Sequence, residues 1–323
     1  MSFVHDDPEF DALLRIVARN RKLSPGLVEK DYWVTHVLWA LHATGFEVWF
    51  KGGTSLSKGF GLIERFSEDL DLKIEPGTVS GLTAVSDWKR ASTTATAARR
   101  AYFETLVKAV AIPGAAASLD PDFVDKHWRS VNVRVSYPGQ HLTDLDRILR
   151  PFVVLDIGNA RVTPSVPCDM SSFVHDELAA QGQLGAFDDN RPKQVRCVHP
   201  LVTLLEKIDS LGRRVPTGSA NPASFVRHYE DAARIIAGEA DLPPLTDHAG
   251  PYQLAEELLR EKQIIPLPGF DHPAFALPPG ARTNAIRSAY AAIAPMFWGQ
   301  RRTLDECAEE IRGWIRRVGL GAR

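Results

Sequence analysis

Apolar residues near the N-terminus recur at helical spacing in two segments, residues 9–20 and residues 26–45. Each segment follows a residue that commonly caps helices, Asp7 or Ser24, and then a proline. Proline suits the first helical position because its φ is already helical and its missing N–H would have no partner there. The pattern therefore predicts two helices, and Gly45 is expected to end the second.

The middle of the chain shows the shorter periods of β-strands. Apolar and polar residues alternate in residues 130–137, whereas residues 152–158 form an almost wholly apolar run with one acid, Asp156. Alternation is typical of a strand with one buried face, and a continuous apolar run is typical of a strand buried on both faces. We predict strands over residues 46–50, 65–74, 130–137 and 152–158, and helices over residues 54–58 and 88–110.

The second half of the chain has a different pattern. Residues 163–193 collect Pro, Gly, Ser and Asp, which predicts a loop-rich boundary. Beyond it, apolar positions recur at helical spacing in three places: residues 201–211, the residues after Asn221, and those after a capping box of Thr303 and Glu306. We therefore expect an α/β (α+β) fold. Its core, residues 1–165, has a mixed sheet flanked by helices, and residues 166–323 form a mainly helical C-terminal domain.

Composition narrows the class of protein. The 323 residues carry 38 Lys and Arg against 40 Asp and Glu, a net charge of -2, so the whole molecule has no field that would draw it to nucleic acid. Any RNA contact is expected to be a local patch. The three cysteines are widely spaced and form no CxxC pair, which argues against a disulfide framework or a cysteine zinc site. Because the pattern shows no signal peptide and no membrane span, we expect a cytoplasmic protein.

A diglycine turn follows the first predicted strand, in the sequence KGGTSLSKGF of residues 51–60. Glycine lets the backbone approach a phosphate without a Cβ in the way, and N–H groups at the start of a helix point toward anionic oxygens. Thr54 and Ser55 add hydroxyl groups. An isolated Gly-Gly pair is usually only a turn, so this segment by itself predicts little.

Two aspartates follow about fifteen residues later, in the sequence RFSEDLDL of residues 65–72. Side chains alternate along a strand, so Asp69 and Asp71 share one face while Leu70 and Leu72 face a core. Two such charges about 4 Å apart repel by roughly 4 kcal/mol at an effective dielectric near 20, and either a cation between them or a shared proton relieves the repulsion. The pair predicts a site for Mg²⁺, or Mn²⁺, with Asp156 as a third carboxylate.

The order of these parts matters more than any one of them. A DxD in a strand is often a solvated face, but a strand, a glycine turn, a helix and a DxD in succession favour a site for metal and phosphate. A second DxD, in residues 143–146, has the context of a helix start and is set aside. The chain has no Walker A sequence, no complete GxGxxG and no HExxH, which excludes the nucleotide and zinc sites that these motifs mark.

The two segments together resemble the AbiEii/AbiGii group of nucleotidyltransferase toxins, within the DNA polymerase β-like superfamily. The likeness extends to VEKDYWVTHVLWAL, VVLDIG, LLEKIDSLGRR and VRHYEDAARI, and spans roughly residues 28–236. It implies a nucleotidyltransferase core, a helical domain that contributes to the active-site cleft, and magnesium-dependent transfer of a nucleotide from an NTP with release of pyrophosphate. It further implies a toxin of a toxin-antitoxin or abortive-infection system, with a cognate antitoxin as partner, tRNA as acceptor, and a role in phage defence.

The resemblance also implies roles for particular residues. Lys207 would bind a phosphate oxygen and Asp231 would orient it or the acceptor, although Lys207 lies off the apolar face of its helix and also fits a solvated lysine. Asp231 is equally compatible with an ordinary helix ion pair with Arg227 or Arg234. The expected nucleotide-binding residues are Lys51, Gly52, Gly53, Thr54, Ser55, Ser67 and Lys207; the expected metal ligands are Asp69, Asp71 and Asp156; and the expected catalytic residues are Asp69, Asp71, Asp156, Lys207 and Asp231.

Two other functions stay open at this point. A non-catalytic module that senses a nucleotide would keep the fold, although an intact DxD argues against a degenerate site. A nucleotidyltransferase that modifies a small molecule such as an antibiotic would share the core and differ in its acceptor pocket. Arginine pairs such as Arg213-Arg214 offer charge for RNA phosphates, but such pairs are common on surfaces.

Overall fold

A computed structural model describes residues 2–67, 69–142 and 150–321 of the chain, so the DxD of residues 143–146 lies outside the described residues. The chain divides into two compact units. The first contains Met1–Gly59 and Ser67–Cys197, and the second contains Phe60–Phe66 and Val198–Arg323.

The first unit is built on a mixed sheet of seven strands. The strands are β1 (Glu47–Lys51), β2 (Asp69–Glu75), β3 (Ala116–Val124), β4 (Ser130–Ser136), β5 (Val153–Gly158), β6 (Ser165–Cys168) and β7 (Val195–Val198), in the order β3-β4-β5-β2-β1-β7-β6. β1 runs antiparallel to β2 and parallel to β7, β2 runs parallel to β5, and β4 runs antiparallel to both β3 and β5. This confirms the predicted mixed sheet.

Among its described residues, five α-helices accompany the sheet: α1 (Phe10–Arg21), α2 (Pro25–Thr44), α3 (Gly52–Lys58), α4 (Thr93–Ala109) and α5 (Phe173–Ala180). The predicted ends of α2 are confirmed. Ser24 accepts a hydrogen bond from the N–H of Leu27, and Gly45 closes the helix with a left-handed φ of 100°. The unit thus has the predicted arrangement of a mixed sheet flanked by helices.

The two faces of the central strands differ in polarity. Along β2, Leu70, Leu72 and Ile74 are buried, whereas Asp69 and Asp71 on the other face are only partly buried. This is the predicted alternation, and the buried positions join the core of the unit. The opposite face of these strands therefore remains available for polar chemistry.

The second unit is helical. Its helices are α6 (Pro200–Arg214), α7 (Arg227–Ala237), α8 (Pro251–Arg260), α9 (Pro273–Ala276), α10 (Ala281–Ala292) and α11 (Leu304–Val318). The predicted capping box is present, because Thr303 accepts from the N–H of Glu306 while the Glu306 side chain accepts from the N–H of Thr303. Within the described residues, no helix of either unit is both long and apolar enough to cross a membrane.

The division between the units differs from the boundary expected at residue 165. That residue is the first of β6, and β6, α5 and nearly all of β7 belong to the first unit. The Pro- and Ser-rich composition suggested a linker, but β6 is an edge strand, where a proline such as Pro167 removes no needed hydrogen bond. β7 was also not predicted, because only helical spacing was recognised beyond residue 193.

Several predicted ends also shift. The strand predicted from residue 65 begins at Asp69, because residues 60–66 belong to the second unit. The helix predicted from residue 88 begins at Thr93, capped by Ser92, and α1 begins at Phe10, after its proline. Asn221 caps a short 3-10 turn rather than α7 itself. β3 was missed because its sequence lacks clear alternation.

A buried ion pair fixes α3 to α2. Lys58 Nζ lies 2.6 Å from Asp31 Oδ1, and both side chains are less than a tenth exposed. The other carboxylate oxygen of Asp31 accepts from the N–H of Phe173 at 2.8 Å. Because α3 carries the diglycine segment at its start, this pair holds that segment in place.

Lys58→Met should destabilise the protein by about 3–5 kcal/mol, because it leaves the Asp31 carboxylate buried without a cation. Adding Asp31→Asn should recover a large part of the loss. Urea unfolding of the two single variants and the double variant measures both effects. The control is Arg100→Met, which removes an exposed partner of Glu104 and should cost less than about 1 kcal/mol. Strictly additive losses for Lys58 and Asp31 would contradict this account.

Candidate active site

Three charged side chains lie in one row across three neighbouring strands. Lys51 on β1 is paired with Asp71 on β2, and Asp71 is paired with Asp156 on β5. Directly paired residues point to the same face of a sheet, with Cβ atoms about 5 Å apart. The sheet register thus brings together three residues that the sequence places in separate segments. Asn132 on β4 is paired with Asp156 and continues the row.

Asp69 lies on the same face, two residues before Asp71. Its Oδ1 atom is buried and has no hydrogen-bond partner among the described residues. Buried carboxylate oxygens normally accept at least one hydrogen bond, so an oxygen of this kind calls for a ligand. A cation would satisfy it.

The environment of Asp156 disfavours its charged form. Its side chain is open to solvent. Desolvation by the surrounding protein, and then the negative charge of Asp69, nevertheless raise the pKa of Asp156, while the positive charge of Lys51 acts in the opposite direction. The charges of Asp69 and Asp156 therefore interact. Negative charge concentrated in this way favours a positively charged ligand.

Gly52 permits the close approach of the α3 backbone to this row. Its φ is +77°, and a Cβ at this position would lie 1.7 Å from Oδ2 of Asp71. Gly52 and Gly53 form the first turn of α3 itself, rather than a turn that precedes the helix as expected. A residue with a side chain would therefore displace either the backbone or the carboxylate.

The hydroxyl groups of Thr54 and Ser55 already have partners in the backbone. Thr54 Oγ1 donates to the carbonyl oxygen of Asp69 at 2.9 Å and to that of Ser67 at 3.3 Å, and Ser55 Oγ donates to the carbonyl of Gly52 at 3.1 Å. Both side chains are buried. Thr54 therefore joins the start of α3 to the start of β2, and the phosphate contacts expected of the two hydroxyls stay predictions.

The carboxylates are not a preassembled metal cage. Across residues 2–67, 69–142 and 150–321, no group of three or more His, Cys, Asp or Glu side chains is arranged to hold a metal ion. The site offers the oxygens of neighbouring carboxylates as hard metal donors. One of them, Oδ1 of Asp69, has no hydrogen-bond partner among the described residues. These donors suit Mg²⁺, which commonly takes one or two carboxylates and completes its shell with substrate phosphates and water.

Lys207 and Asp231 meet within the second unit. Lys207 Nζ on α6 lies 2.6 Å from Oδ2 of Asp231 on α7, and both side chains are buried. Burial lowers the pKa of Lys207. Burial by itself would raise the pKa of Asp231, but the charges and hydrogen bonds of Arg65 and Lys207 outweigh it and hold that pKa well below its usual range. The alternative of a solvated lysine is therefore wrong.

Two residues near these groups were missed. Asn132 is a polar position in an alternating strand, and only the register shows that it faces Asp156. Arg65 binds both carboxylate oxygens of Asp231 through one guanidinium edge, Nε and Nη2, yet in the sequence it looked like the first residue of a strand. Its place four residues before Asp69 was the one available signal.

A seven-stranded mixed sheet with eleven α-helices in the described part of the chain, and a row of carboxylates beside a glycine turn, is consistent with an α+β fold of the nucleotidyltransferase type. Residues 38–310 match the family described as "Nucleotidyl transferase AbiEii toxin, Type IV TA system". The chain belongs to this family, which confirms the resemblance. No curated protein matches the chain. Membership in a toxin family of this type implies an antitoxin partner.

Gly52→Ala should destabilise the protein more than Gly81→Ala. The two glycines have almost the same left-handed φ, +77° and +79°, so both substitutions carry a strain of about 1 kcal/mol. Only at Gly52 would the new Cβ meet Asp71, whereas nothing lies within 4 Å of it at Gly81. We expect about 1–3 kcal/mol of further loss at Gly52, measured by urea unfolding. Equal losses would contradict the close approach.

Proposed function

We propose that the protein is a magnesium-dependent nucleotidyltransferase toxin that transfers a nucleotide from an NTP to an RNA acceptor. The observation that supports this best is the row of Lys51, Asp71 and Asp156 beside the backbone of Gly52. A cation and two carboxylates on one sheet face, next to a backbone that accepts no side chain, suit a metal-bound triphosphate.

Asp69 and Asp71 would hold the metal, with Asp156 as a further ligand or as the base. Mg²⁺ would supply charge neutralisation at the phosphates, and Mn²⁺ offers the same donor preference. The buried Oδ1 of Asp69 gains its missing partner in this arrangement. The absence of a closed cage in the described residues agrees with a metal that arrives together with the nucleotide.

The reaction is an in-line substitution at the α-phosphorus of the NTP. A hydroxyl oxygen of the acceptor forms the new bond to phosphorus, and the bond from phosphorus to the oxygen bridging to the β-phosphate breaks, so pyrophosphate leaves. The hydroxyl proton passes to the Asp156 carboxylate, whose raised pKa makes it a better proton acceptor than an ordinary aspartate. Asp156 would thus act as a base beside the metal ligands.

The remaining roles follow the family likeness. The backbone of Gly52 and Gly53, with Lys51, would bind the triphosphate, and Ser67 would line the same site. Lys207 would neutralise a phosphate oxygen in the same reaction. Asp231 would hold Lys207 in place, as their 2.6 Å contact supports.

The acceptor and the biological setting rest on the family. We propose tRNA as the acceptor, a cognate antitoxin as the partner, and a role in abortive infection as phage defence. Both substrates, NTP and tRNA, are cytoplasmic molecules, so we place the reaction in the cytoplasm.

The test is transfer of label from each NTP in turn, with Mg²⁺ and total RNA, followed by separation of RNA, protein and small molecules. We expect label on RNA from one NTP, and a loss of at least about a hundredfold in Asp71→Ala, because the variant removes a carboxylate that would hold the cation needed to neutralise transition-state charge. Circular dichroism checks that the variant is folded.

Asp122→Ala is the matched control, since it removes an exposed carboxylate from β3 of the same sheet and should keep full activity. Label on a small molecule or on protein would replace the RNA acceptor with that class. Bound NTP without any transfer would favour the nucleotide-sensing module, and full activity of Asp71→Ala would contradict the site.

A further inference from the structure

Arg65 is a buried arginine that makes a two-point contact with the carboxylate of Asp231. Its Nε donates to Oδ1 of Asp231 at 2.7 Å, and its Nη2 donates to Oδ2 at 2.6 Å. Nη1 donates to the carbonyl oxygen of Phe66 at 2.9 Å. Arg65 is 1% exposed and Asp231 is fully buried. A two-point contact of this kind fixes both the position and the plane of the carboxylate.

Asp231 binds a second cationic side chain, that of Lys207, at the same time. Its Oδ2 also accepts from Lys207 Nζ at 2.6 Å, and Lys207 Nζ lies 3.4 Å from Nδ1 of His228. Both carboxylate oxygens are therefore engaged, and two cations share one negative charge. A carboxylate in this position orients its partners and is poorly placed to take up a proton.

We propose that Arg65 is a positioning residue of the functional centre: by holding both oxygens of Asp231, it sets the direction in which Asp231 presents Lys207. This inference rests on the proposed function only for the role of Lys207 in phosphate binding. Lysine could not replace Arg65 fully, because an ammonium group is a point charge and cannot contact both oxygens in the plane of the carboxylate.

The positive charge of Arg65 also opposes the effect of the Asp231 carboxylate on the pKa of Lys207. The charged and titratable groups that face Lys207 in the described residues are Asp231, Arg227 and His228 from α7, and Arg65 from the segment of residues 60–66. The positive charges of Arg65 and Arg227 lower the pKa of Lys207, and the negative charge of Asp231 raises it. Removal of Arg65 should therefore raise the pKa of Lys207, and removal of the Asp231 charge should lower it.

The experiment follows the ε-¹³C resonance of Lys207 during a pH titration of protein labelled with ¹³C-lysine, and Lys207→Met assigns the signal. We expect a higher pKa in Arg65→Met, a smaller rise in Arg65→Lys, and a lower pKa in Asp231→Asn. Loss of fold would raise the pKa in every variant, so the opposite direction in Asp231→Asn separates the two causes. No shift in Arg65→Met, or equal shifts in all three variants, would overturn the proposal.

The matched control is Arg99→Met in the first unit. Arg99 is also fully buried, but it donates to the carbonyl oxygens of Asp87, Arg90 and His127 and to the hydroxyl of Thr96. Its loss should lower stability and leave the Lys207 titration unchanged. Because the titration needs no substrate, a protein without transferase activity would contradict the proposed function alone. In an active enzyme, Arg65→Lys should lower kcat at least tenfold and move the alkaline limb of activity upward.

Discussion

The register of β2 and β5 places Asp71 opposite Asp156 with Asp69 on the same face, and the repulsion among these like charges, seen in the raised pKa of Asp156 beside Asp69, is the constraint on which the rest of the site depends. A sheet holds such charges together because its backbone hydrogen bonds, and not the side chains, set the spacing. In general, two unit charges about 4 Å apart at an effective dielectric near 20 repel each other by roughly 4 kcal/mol. The core face of the same strands, with Leu70 and Leu72, stabilises the sheet against that cost.

The same reasoning explains why glycine and lysine adjoin the acids. Gly52 leaves the space that a side chain would take from Asp71, and Lys51 supplies a positive charge in the row. In the second unit the charges are balanced differently. There Asp231 lies between Arg65 and Lys207, and buried ions of this kind are tolerated only with good geometry on every partner. The carboxylate row of the first unit favours a positively charged ligand. The ion pairs of Asp231 in the second unit instead hold the side chain of Lys207 in place.

Local signals in the sequence predicted the elements that hold the site. The cap of Ser24, the stop at Gly45 and the alternation of Leu70 with Asp71 each act within a few residues, and each was confirmed. Asp156 was expected as a third carboxylate near Asp69 and Asp71, but its direct pairing with Asp71 could not be predicted, because that pairing joins distant residues through a register that no local pattern sets.

The position of Arg65 was hidden for a similar reason. A short apolar and charged segment before the DxD has the composition of a strand, but its burial and its partner on α7 depend on tertiary packing. Likewise, the hydroxyl of Thr54 donates to the backbone carbonyl oxygen of Asp69, a contact that the composition of the segment does not reveal. Sequence motifs thus predicted which residues belong to the candidate site. The orientation of their side chains depends on long-range contacts that no motif contains.

Anomalous diffraction tests the proposed metal site most directly, with crystals grown with Mn²⁺ and an NTP analogue that cannot be cleaved between its α- and β-phosphates. We expect a manganese peak bonded to carboxylate oxygens of Asp69 and Asp71 and to a phosphate of the analogue, beside Gly52. An analogue bound there without manganese, or manganese and analogue bound together at another place, would contradict the proposed site.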